Sequence, residues 1–359
     1  MKRLRHSTFK IFHSTLLIIA LTLLLTSCDT VLQYPEEESP SQRVHIYIEH
    51  MPPGKLIEFY YNGQPESYRR GVGEPAFKTR YILDIYPSGK NEDRVGRHVL
   101  VKNNLDWRDF ETDLDLQPGN YDIWIWADHF DSAVSELENG YFCTSDDFSN
   151  MLVQTNPYIG DTEMKDALCG SFSISVAPPA PDSPPLSAHC TLYRPLTSFA
   201  FLSTDFKEFI MSEITRHNLV TKDGDPMNMG DMPPVDFDLS GYSAKFTYKV
   251  YHPTTFNAFL GKPVDSSLNI SFESKLRKLD SDEIMIGFDY FFINGEESTS
   301  TVSVEIFDSD GVKIASTPPV KFQVQKNCAT IVRGKFLTTQ ASGGVEITTE
   351  FDGDFNIHL

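Results

Sequence analysis

The sequence predicts an all-β protein made of two tandem antiparallel β-sandwich domains, with one short helix in the second domain. Apolar and polar residues alternate over many short segments, which is typical of strands that bury one face and leave the other in water. The alternation is clearest in the segments that begin at Val44, Phe172, Phe246 and Val302. Asn-Gly and Asp-Gly pairs, which favour the positive φ of tight hairpins, separate several of these segments.

A proline-rich segment divides the chain. Residues 177–185 (APPAPDSPP) hold five prolines among nine residues, and proline has no N–H to donate to a sheet. We therefore predict a linker here, with a first domain over residues 43–176 and a second over residues 186–359. Each is long enough for a core of its own.

One helix is predicted inside the second domain. Asp205 stands in the N-cap position and Glu208 follows three residues later, as in a capping box. Four apolar residues then share one helical face, namely Phe206, Phe209, Ile210 and Ile214. We expect this helix to close one end of a sandwich.

The N-terminal residues carry an export signal. Basic residues precede an apolar run from Leu16 to Leu25 that is shorter than a membrane-spanning helix. The next residues, Thr26-Ser27-Cys28, complete a lipobox, so we predict a signal peptide over residues 1–27 and acylation of Cys28. Acyl chains in pairs or triplets anchor a protein stably. Residues 28–42 include three consecutive glutamates and are predicted to form a disordered tether.

The charge excludes one class of partner. The chain has 31 Lys and Arg against 50 Asp and Glu, a formal net charge of −19. Binding to nucleic acid depends on many cations that neutralise phosphates, so we expect no nucleic-acid partner. Anionic lipid headgroups would repel the chain for the same reason, which leaves membrane attachment to the lipid on Cys28.

The sequence contains no GxSxG, HExxH, CxxC or glycine-rich phosphate motif. We therefore expect no enzyme, no cofactor and no metal. The nearest candidate for a ligand contact is Trp124 and Trp126 with Asp128 and His129. Two indoles at alternate strand positions share a face and could stack on a sugar ring. The alternatives are core or inter-domain packing for the indoles and a solvated turn for Asp128 and His129.

Four cysteines remain besides Cys28, two in each predicted domain. Cys143 and Cys169 belong to the first domain, and Cys190 and Cys328 to the second. An exported protein meets an oxidising compartment, and four cysteines allow three connectivities. Our hypothesis is a Cys190–Cys328 disulfide, with free buried thiols as the alternative.

Several sequence strings are characteristic as a set. In the second domain they are RPLTSFAFLSTDFKEF (194–209), HPTTFNAFLGKPVDS (252–266), GFDYFFINGEESTSTVSVEIFDSDG (287–311), TIVRGKFLT (330–338), SGGVEI (342–347) and FDGDFNI (351–357), and in the first domain they are PGNYDIWIWAD (118–128) and KDALCGSFSISV (165–176). On these strings the chain resembles the fimbrillin-like lipoproteins of the Bacteroidetes, the type V pilin superfamily. The resemblance is strongest in the second domain and covers most residues after about 77.

The resemblance implies transthyretin-like, Greek-key sandwiches and a lipid anchor in the outer membrane, facing the cell surface. It also implies assembly with other fimbrial subunits by strand exchange. In polymerising members, an arginine-specific protease removes the first strand and exposes a groove. The candidate cleavage residues here are Arg43, Arg69, Arg70 and Arg80. Arg70 precedes Gly71 in residues 55–80, but we interpret this stretch as lacking a clear arginine–small-residue cleavage site after the first strand. That interpretation favours an anchor or accessory subunit over the repeating shaft.

Two functional hypotheses follow. The first is a non-catalytic surface subunit that assembles through β-strand complementation. The alternative is a surface glycan- or ligand-binding lipoprotein that does not polymerise and uses the two indoles. Solvent exposure of Trp124 and Trp126 separates the two hypotheses. The chain also ends in an alternating segment, Phe355 to Leu359, which predicts a final strand that either closes its own sandwich or is donated to a neighbour.

Overall fold

The computed structural model describes residues 41–51, 60–61, 64–65, 77–103, 105, 107–131, 140–143, 148–180, 184–217, 237–279, 283–339, 348–352 and 354–358. Regular structure in these ranges is almost entirely β, as the sequence predicts. The strands up to the proline-rich segment are β1 (Gln42–His50), β2 (Tyr60–Tyr61), β3 (Gln64–Pro65), β4 (Phe77–Pro87), β5 (Gly96–Lys102), β6 (Phe110–Leu116), β7 (Gly119–Asp131), β8 (Phe142–Cys143), β9 (Met151–Val153) and β10 (Ala167–Val176).

The strands after that segment number from β11 to β24. They are β11 (Leu186–Leu192), β12 (Leu196–Ser203), β13 (Ser243–Tyr248), β14 (His252–Asn257), β15 (Lys262–Ser267), β16 (Ser271–Lys275), β17 (Arg277–Lys278), β18 (Ile284–Phe292), β19 (Glu297–Phe307), β20 (Lys313–Ser316), β21 (Val320–Gln325), β22 (Ala329–Gly334), β23 (Thr348–Asp352) and β24 (Asp354–His358). A short 3₁₀ turn, Glu163–Lys165, precedes β10, and one α-helix, α1 (Phe206–His217), follows β12.

The first sandwich consists of two sheets, with strand orders β11-β1-β6 and β10-β7-β4-β5. The alternating residues Val44, Ile46 and Ile48 of β1 point into the space between the sheets and are buried there against β4 and β7. The two-residue period read from the sequence thus gives the inner face of this sandwich.

Strand β11 belongs to the first sandwich by its pairing. It lies parallel to β1, with Val44 opposite Leu186 and Ile48 opposite Cys190. The proline-rich segment 177–185 is therefore a crossover from one sheet to the other, because prolines are excluded from a ladder but are tolerated in the connection. This pairing places the end of the first sandwich after Leu192 rather than at residue 176.

The second sandwich packs a six-stranded sheet, β17-β18-β12-β22-β24-β23, against the sheet formed by β16, β13, β19, β20 and β21. All eight residues of β12 are buried, since this strand has a neighbour on each side and a core face above and below. The core is rich in aromatic rings, including Phe199, Phe201 and Phe246. Gly287 is required here because a Cβ would lie 2.7 Å from the Phe246 ring.

Helix α1 buries the apolar face that the sequence predicts, with Phe206, Phe209, Ile210 and Ile214 all in the core. Asp205 has a role other than the expected cap. Its buried carboxylate accepts hydrogen bonds from Thr338, at 2.8 Å from the backbone N–H and 2.5 Å from the hydroxyl. The start of the helix is thereby tied to the chain that leaves β22.

A small sheet joins the two sandwiches. Its order is β15-β14-β9-β8, so two strands come from each half of the chain. Thr255 of β14 pairs with Leu152 of β9, and Phe256 pairs with Met151. The outer face of β7 packs on the same joint, where Trp126 meets Phe292 at a ring-centroid distance of 6.4 Å.

The chain ends in a strand, as the alternating pattern predicts. Strand β24 lies parallel to β22, with Ile331 opposite Asn356, and forms a hairpin with β23. The strand therefore adds to the sheet of its own sandwich. Within the described ranges, no helix combines the length and apolarity that a membrane crossing requires.

Candidate functional site

The two indoles predicted as a ligand contact lie at the joint between the sandwiches. Trp126 is 0 % exposed and packs edge-on against Phe142, with ring centroids 5.3 Å apart. Trp124 is half-buried and makes a similar contact with Phe259 at 4.9 Å. The two rings share a sheet face, as predicted, and the second half of the chain covers most of that face. Trp126 is therefore a packing residue, and Trp124 alone reaches a solvent-filled space.

Asp128 and His129 are buried inside β7 and do not form the solvated turn considered from the sequence. The Asp128 carboxylate accepts two hydrogen bonds from Arg80, at 2.6 Å from Nε and 2.9 Å from a terminal nitrogen. The His129 ring stacks on Trp107 at 4.6 Å. Sequence reasoning missed this because β7 runs to Asp131, so both residues lie within a strand that β4 flanks.

Arg80, one of the predicted cleavage residues, is inaccessible in the folded chain. It is 0 % exposed and lies within β4, which pairs with β5 on one side and β7 on the other. Burial lowers the pKa of Arg80, but the charge and hydrogen bonds of Asp128 outweigh burial and raise the pKa above its ordinary value. A protease needs an extended, exposed segment, so it cannot cut after Arg80 without unfolding β4.

Arg43 has an exposed side chain in a paired strand. The side chain is 64 % exposed and forms a 3.5 Å ion pair with Asp115, while the backbone lies in β1 between β11 and β6. Arg69, Arg70 and Cys28, the predicted site of acylation, lie outside the described residues.

The cysteines Cys143, Cys169, Cys190 and Cys328 are free, so the hypothesised Cys190–Cys328 disulfide is absent. Cys190 belongs to β11 in the first sandwich, whereas Cys328 precedes β22 in the second. The hypothesis assigned both residues to one domain, and the pairing of β11 with β1 separates them. Burial, with the nearby Cys169, raises the pKa of the Cys190 thiol to about 12, so this thiol is neutral and unreactive near pH 7.

Exposed apolar side chains cluster on the β14–β15 hairpin and the residues beside it. Four of its side chains are large, apolar and exposed, namely Tyr251 (68 %), Leu260 (60 %), Val264 (47 %) and Leu268 (49 %). Strand β15 ends its sheet and pairs only with β14 among the described strands. Its other edge therefore leaves backbone N–H and C=O groups without a strand partner.

A groove of about 370 Å³ separates this edge from the start of β19. Val302 pairs with Tyr248 of β13 on one side and Val320 of β21 on the other, so these strands flank β19 from opposite sides. Residues 298–300 of β19 still pair with β21 on one side. On the other side β13 has ended, and none of the described strands pairs with these residues. Residues 263–266 of β15 and residues 298–300 of β19 therefore both line the groove.

The floor of this groove is apolar. Phe291, Phe292 and Ile293 at the end of β18 line it and are buried beneath it. Tyr251 and Val264 stand at its rim, and Asn294 and Ser298 supply polar groups. We call this feature, bounded by residues 263–266 and 298–300 over the 291–293 floor, the strand slot. An extended peptide in the slot would find backbone partners and an apolar surface together.

A second feature is an open cleft of about 720 Å³ beside Trp124. The loop Gly89–Asp93 forms one wall, with Ser171 and Ser173 of β10 opposite. Asp122 lies in the cleft and is fully engaged, because it accepts hydrogen bonds from Ser173 at 2.6 Å and from the Gly89 N–H at 2.8 Å. The hydrogen bond from Ser173 is the largest cause that lowers the pKa of Asp122. Among the described residues, no group of three His, Cys, Asp or Glu is arranged to hold a metal ion.

Solved structures that resemble this chain are fimbrial and adhesin-type proteins. The fimbrial anchor protein Mfa2 of Porphyromonas gingivalis is 10% identical with a TM-score of 0.33, over 77% of this chain and 82% of that one. A fimbrial assembly protein of Parabacteroides distasonis is 9% identical with a TM-score of 0.36, over 85% and 93%. A proposed adhesin of Bacteroides thetaiotaomicron is 9% identical with a TM-score of 0.40, over 79% and 82%.

A comparison with curated proteins gave no match. The profile of one protein family covers most of the chain, from residue 57 to residue 359. On that match, the chain belongs to the DUF6562 family, a family of unknown function.

Proposed function

We propose that the protein is a non-catalytic cell-surface lipoprotein that joins other fimbrial subunits by β-strand complementation, as an anchor or accessory subunit. The observation that carries this proposal is the strand slot. Residues of β15 and β19 line it, and the exposed apolar side chains of Tyr251 and Val264 stand at its rim. A strand from another subunit would pair with the edges and cover the floor of the slot.

The side chains of β15 limit how a strand could pair there. Pro263 has no N–H to donate to a neighbouring strand. Lys262 and Asp265 are charged, and charged side chains protect an exposed edge from indiscriminate pairing. An incoming strand would therefore pair with Val264 to Ser267 or with residues 298–300. Tyr251 and Val264 would provide the apolar contacts that favour one partner over others.

An anchor role fits the burial of Arg80 and the position of Arg43 in a paired strand. Cleavage after Arg80 requires β4 to unfold, and cleavage after Arg43 cuts a strand flanked on both sides. A subunit that is not cut keeps the lipid proposed on Cys28 and stays at the outer membrane. Because β24 pairs within its own sheet, the slot rather than the C-terminus is the proposed contact with a neighbour.

Two charge substitutions test the proposal in the native envelope. Val264→Lys places a charge at the rim of the slot, and Val312→Lys places the same charge at a residue that is also exposed (54 %) but lies in the β19–β20 turn. Each full-length variant is expressed in the native cells, and sheared surface assemblies are separated by size and probed for the protein. We expect Val264→Lys to abolish recovery in high-mass assemblies and Val312→Lys to leave it unchanged. Equal recovery of both variants contradicts the proposal.

A second candidate function is glycan binding at the cleft beside Trp124, without polymerisation. It is favoured by the half-buried indole next to a polar wall that contains Asn91, Glu92 and Asp93. The test is a tryptophan-fluorescence titration of the full chain with soluble polysaccharide fractions. A saturable change that Trp124→Phe removes and Trp107→Phe retains supports glycan binding. No change with any fraction leaves strand complementation as the single candidate.

A further inference from the structure

A buried cluster of polar side chains lies between the two sandwiches, apart from the strand slot and the cleft. Tyr158 and Lys165 come from the segment that precedes β10, and Tyr248, His252 and Asp289 come from the second sandwich. All five residues are buried. The Lys165 Nζ lies 2.6 Å from Oδ1 of Asp289, so an amine and a carboxylate are in direct contact where water does not reach.

Burial opposes the charged form of this pair. Nζ lies 4.0 Å from the centroid of the Tyr158 ring, a cation–π contact that favours the ammonium, and the His252 ring lies 3.9 Å from that of Tyr248. Burial lowers the pKa of Lys165, although Asp289 opposes the shift. Burial also lowers the pKa of His252 well below its usual range, which leaves its imidazole neutral. Two charges withdrawn from water cost free energy that a neutral bond between the same groups would not.

Two hydrogen-bond donors contact the second carboxylate oxygen of Asp289, in the way that donors contact the oxygen of a carbonyl group under attack. Its Oδ2 accepts hydrogen bonds from the Tyr158 hydroxyl at 2.6 Å and from the Tyr248 hydroxyl at 2.7 Å. Donors fixed in this way stabilise negative charge that develops on a carboxyl oxygen under attack. Fixed contact between an amine and a carboxyl group also removes the entropy cost that makes amide formation slow between separate molecules.

We propose that Lys165 and Asp289 form an intramolecular amide cross-link between Nζ and Cγ, which joins the 3₁₀ turn before β10 to strand β18. The cross-link ties the two sandwiches together covalently. It would keep the joint closed under mechanical load, independently of which function the slot or the cleft serves.

The reaction balances without any other reactant. Nζ passes one proton to Oδ1 along the 2.6 Å contact, and its lone pair attacks Cγ while the carbonyl electrons move onto Oδ2. The Tyr158 hydroxyl keeps its one proton on the hydrogen bond to Oδ2, so the second proton passes from Nζ directly to Oδ1 across the same 2.6 Å contact. The Cγ–Oδ1 bond then breaks, water leaves, and Oδ2 becomes the amide oxygen. One hydrogen stays on Nζ, and nothing is oxidised or reduced.

Peptide mapping of the folded wild-type chain tests the proposal directly. The full chain is purified from its native envelope, held folded until its mass is constant, and digested with trypsin after denaturation. We expect a branched peptide that contains Lys165 and Asp289, is lighter by one water molecule than its two parts, and shows no cleavage after Lys165. Two separate linear peptides with cleavage after Lys165 overturn the proposal, and this readout does not depend on a variant that folds.

Substitutions then test the assigned roles. Lys165→Arg keeps a cation beside Asp289 and should abolish the branched peptide. Tyr248→Phe removes one donor to Oδ2 and should lower the cross-linked fraction by at least tenfold at early times. Tyr290→Phe is the matched control, since no hydrogen bond joins its hydroxyl to Asp289. If Tyr248→Phe and Tyr290→Phe cross-link as fast as the wild type, the carboxyl is not activated as proposed.

Discussion

Replacing Asp128 with alanine removes the carboxylate that neutralises Arg80 inside the first sandwich. Both side chains are 0 % exposed, and the two hydrogen bonds between them measure 2.6 and 2.9 Å. In Asp128→Ala, the guanidinium keeps the 3.3 Å hydrogen bond to the Phe142 carbonyl but loses the opposite charge. Removal of one partner from a buried ion pair costs about 3–5 kcal/mol. That is a large part of a typical total stability of about 5–15 kcal/mol.

The prediction is tested by urea unfolding of the full chain, followed by tryptophan fluorescence, since Trp126 lies two residues before Asp128 in β7. Asp115→Ala is the matched control, because it breaks the Arg43 ion pair, in which both side chains are more than 60% exposed. Exposed pairs contribute about 0–1 kcal/mol. The Asp128 variant should also become sensitive to trypsin after Arg80, as β4 opens more often. A loss of stability no larger than that of Asp115→Ala, with the Arg80 site still resistant to trypsin, would show that the buried ion pair contributes no more than an exposed one.

Three further predictions concern packing and charge. Trp126→Ala should destabilise the chain by about 3–5 kcal/mol in urea unfolding, because it leaves a cavity beside Phe142 and Phe292. A loss of stability smaller than that of an exposed substitution such as Val312→Ala would argue against a packed joint. Gly287→Ala should cost about 1–3 kcal/mol, since the new Cβ would lie 2.6 Å from the Ser274 hydroxyl, and unchanged thermal unfolding would show that this contact relaxes freely. The hydrogen bond with Asp113 raises the pKa of His45, so its stabilisation is complete below about pH 6.5 and is lost as pH rises through the folded value. An NMR titration should show a lower His45 pKa in Asp113→Asn and no change in Asp128→Asn.

The local pattern of the sequence predicts several elements accurately. The alternation of Val44, Ile46 and Ile48 gives the buried face of β1, because a strand turns every second side chain to the same side. The spacing of Phe206, Phe209 and Ile210 gives the buried face of α1 for the corresponding reason at a period of 3.6. Both are properties of consecutive residues and need no knowledge of what packs against them.

The local sequence does not show which residues these elements contact in the folded chain. Asp205 looks like a helix cap, yet its carboxylate binds Thr338, 133 residues later. Asp128 and His129 look like a turn, because nothing in their neighbourhood shows that Arg80 and Trp107 meet them. The strand slot is likewise invisible in sequence, since its walls belong to strands that are adjacent only in space.

The β class, the position of the helix and the alternating faces of the strands are predictable from sequence, because they follow from side-chain periodicity and turn residues. The folded structure adds that β11 belongs to the first sandwich, that Trp126 and Arg80 are buried, and that Lys165 lies against Asp289. Strand pairing and ion pairs form between residues far apart in the chain. Which strands and which charged residues pair depends on how the sheets stack. The chemistry of residues that are neighbours in sequence does not specify that stacking.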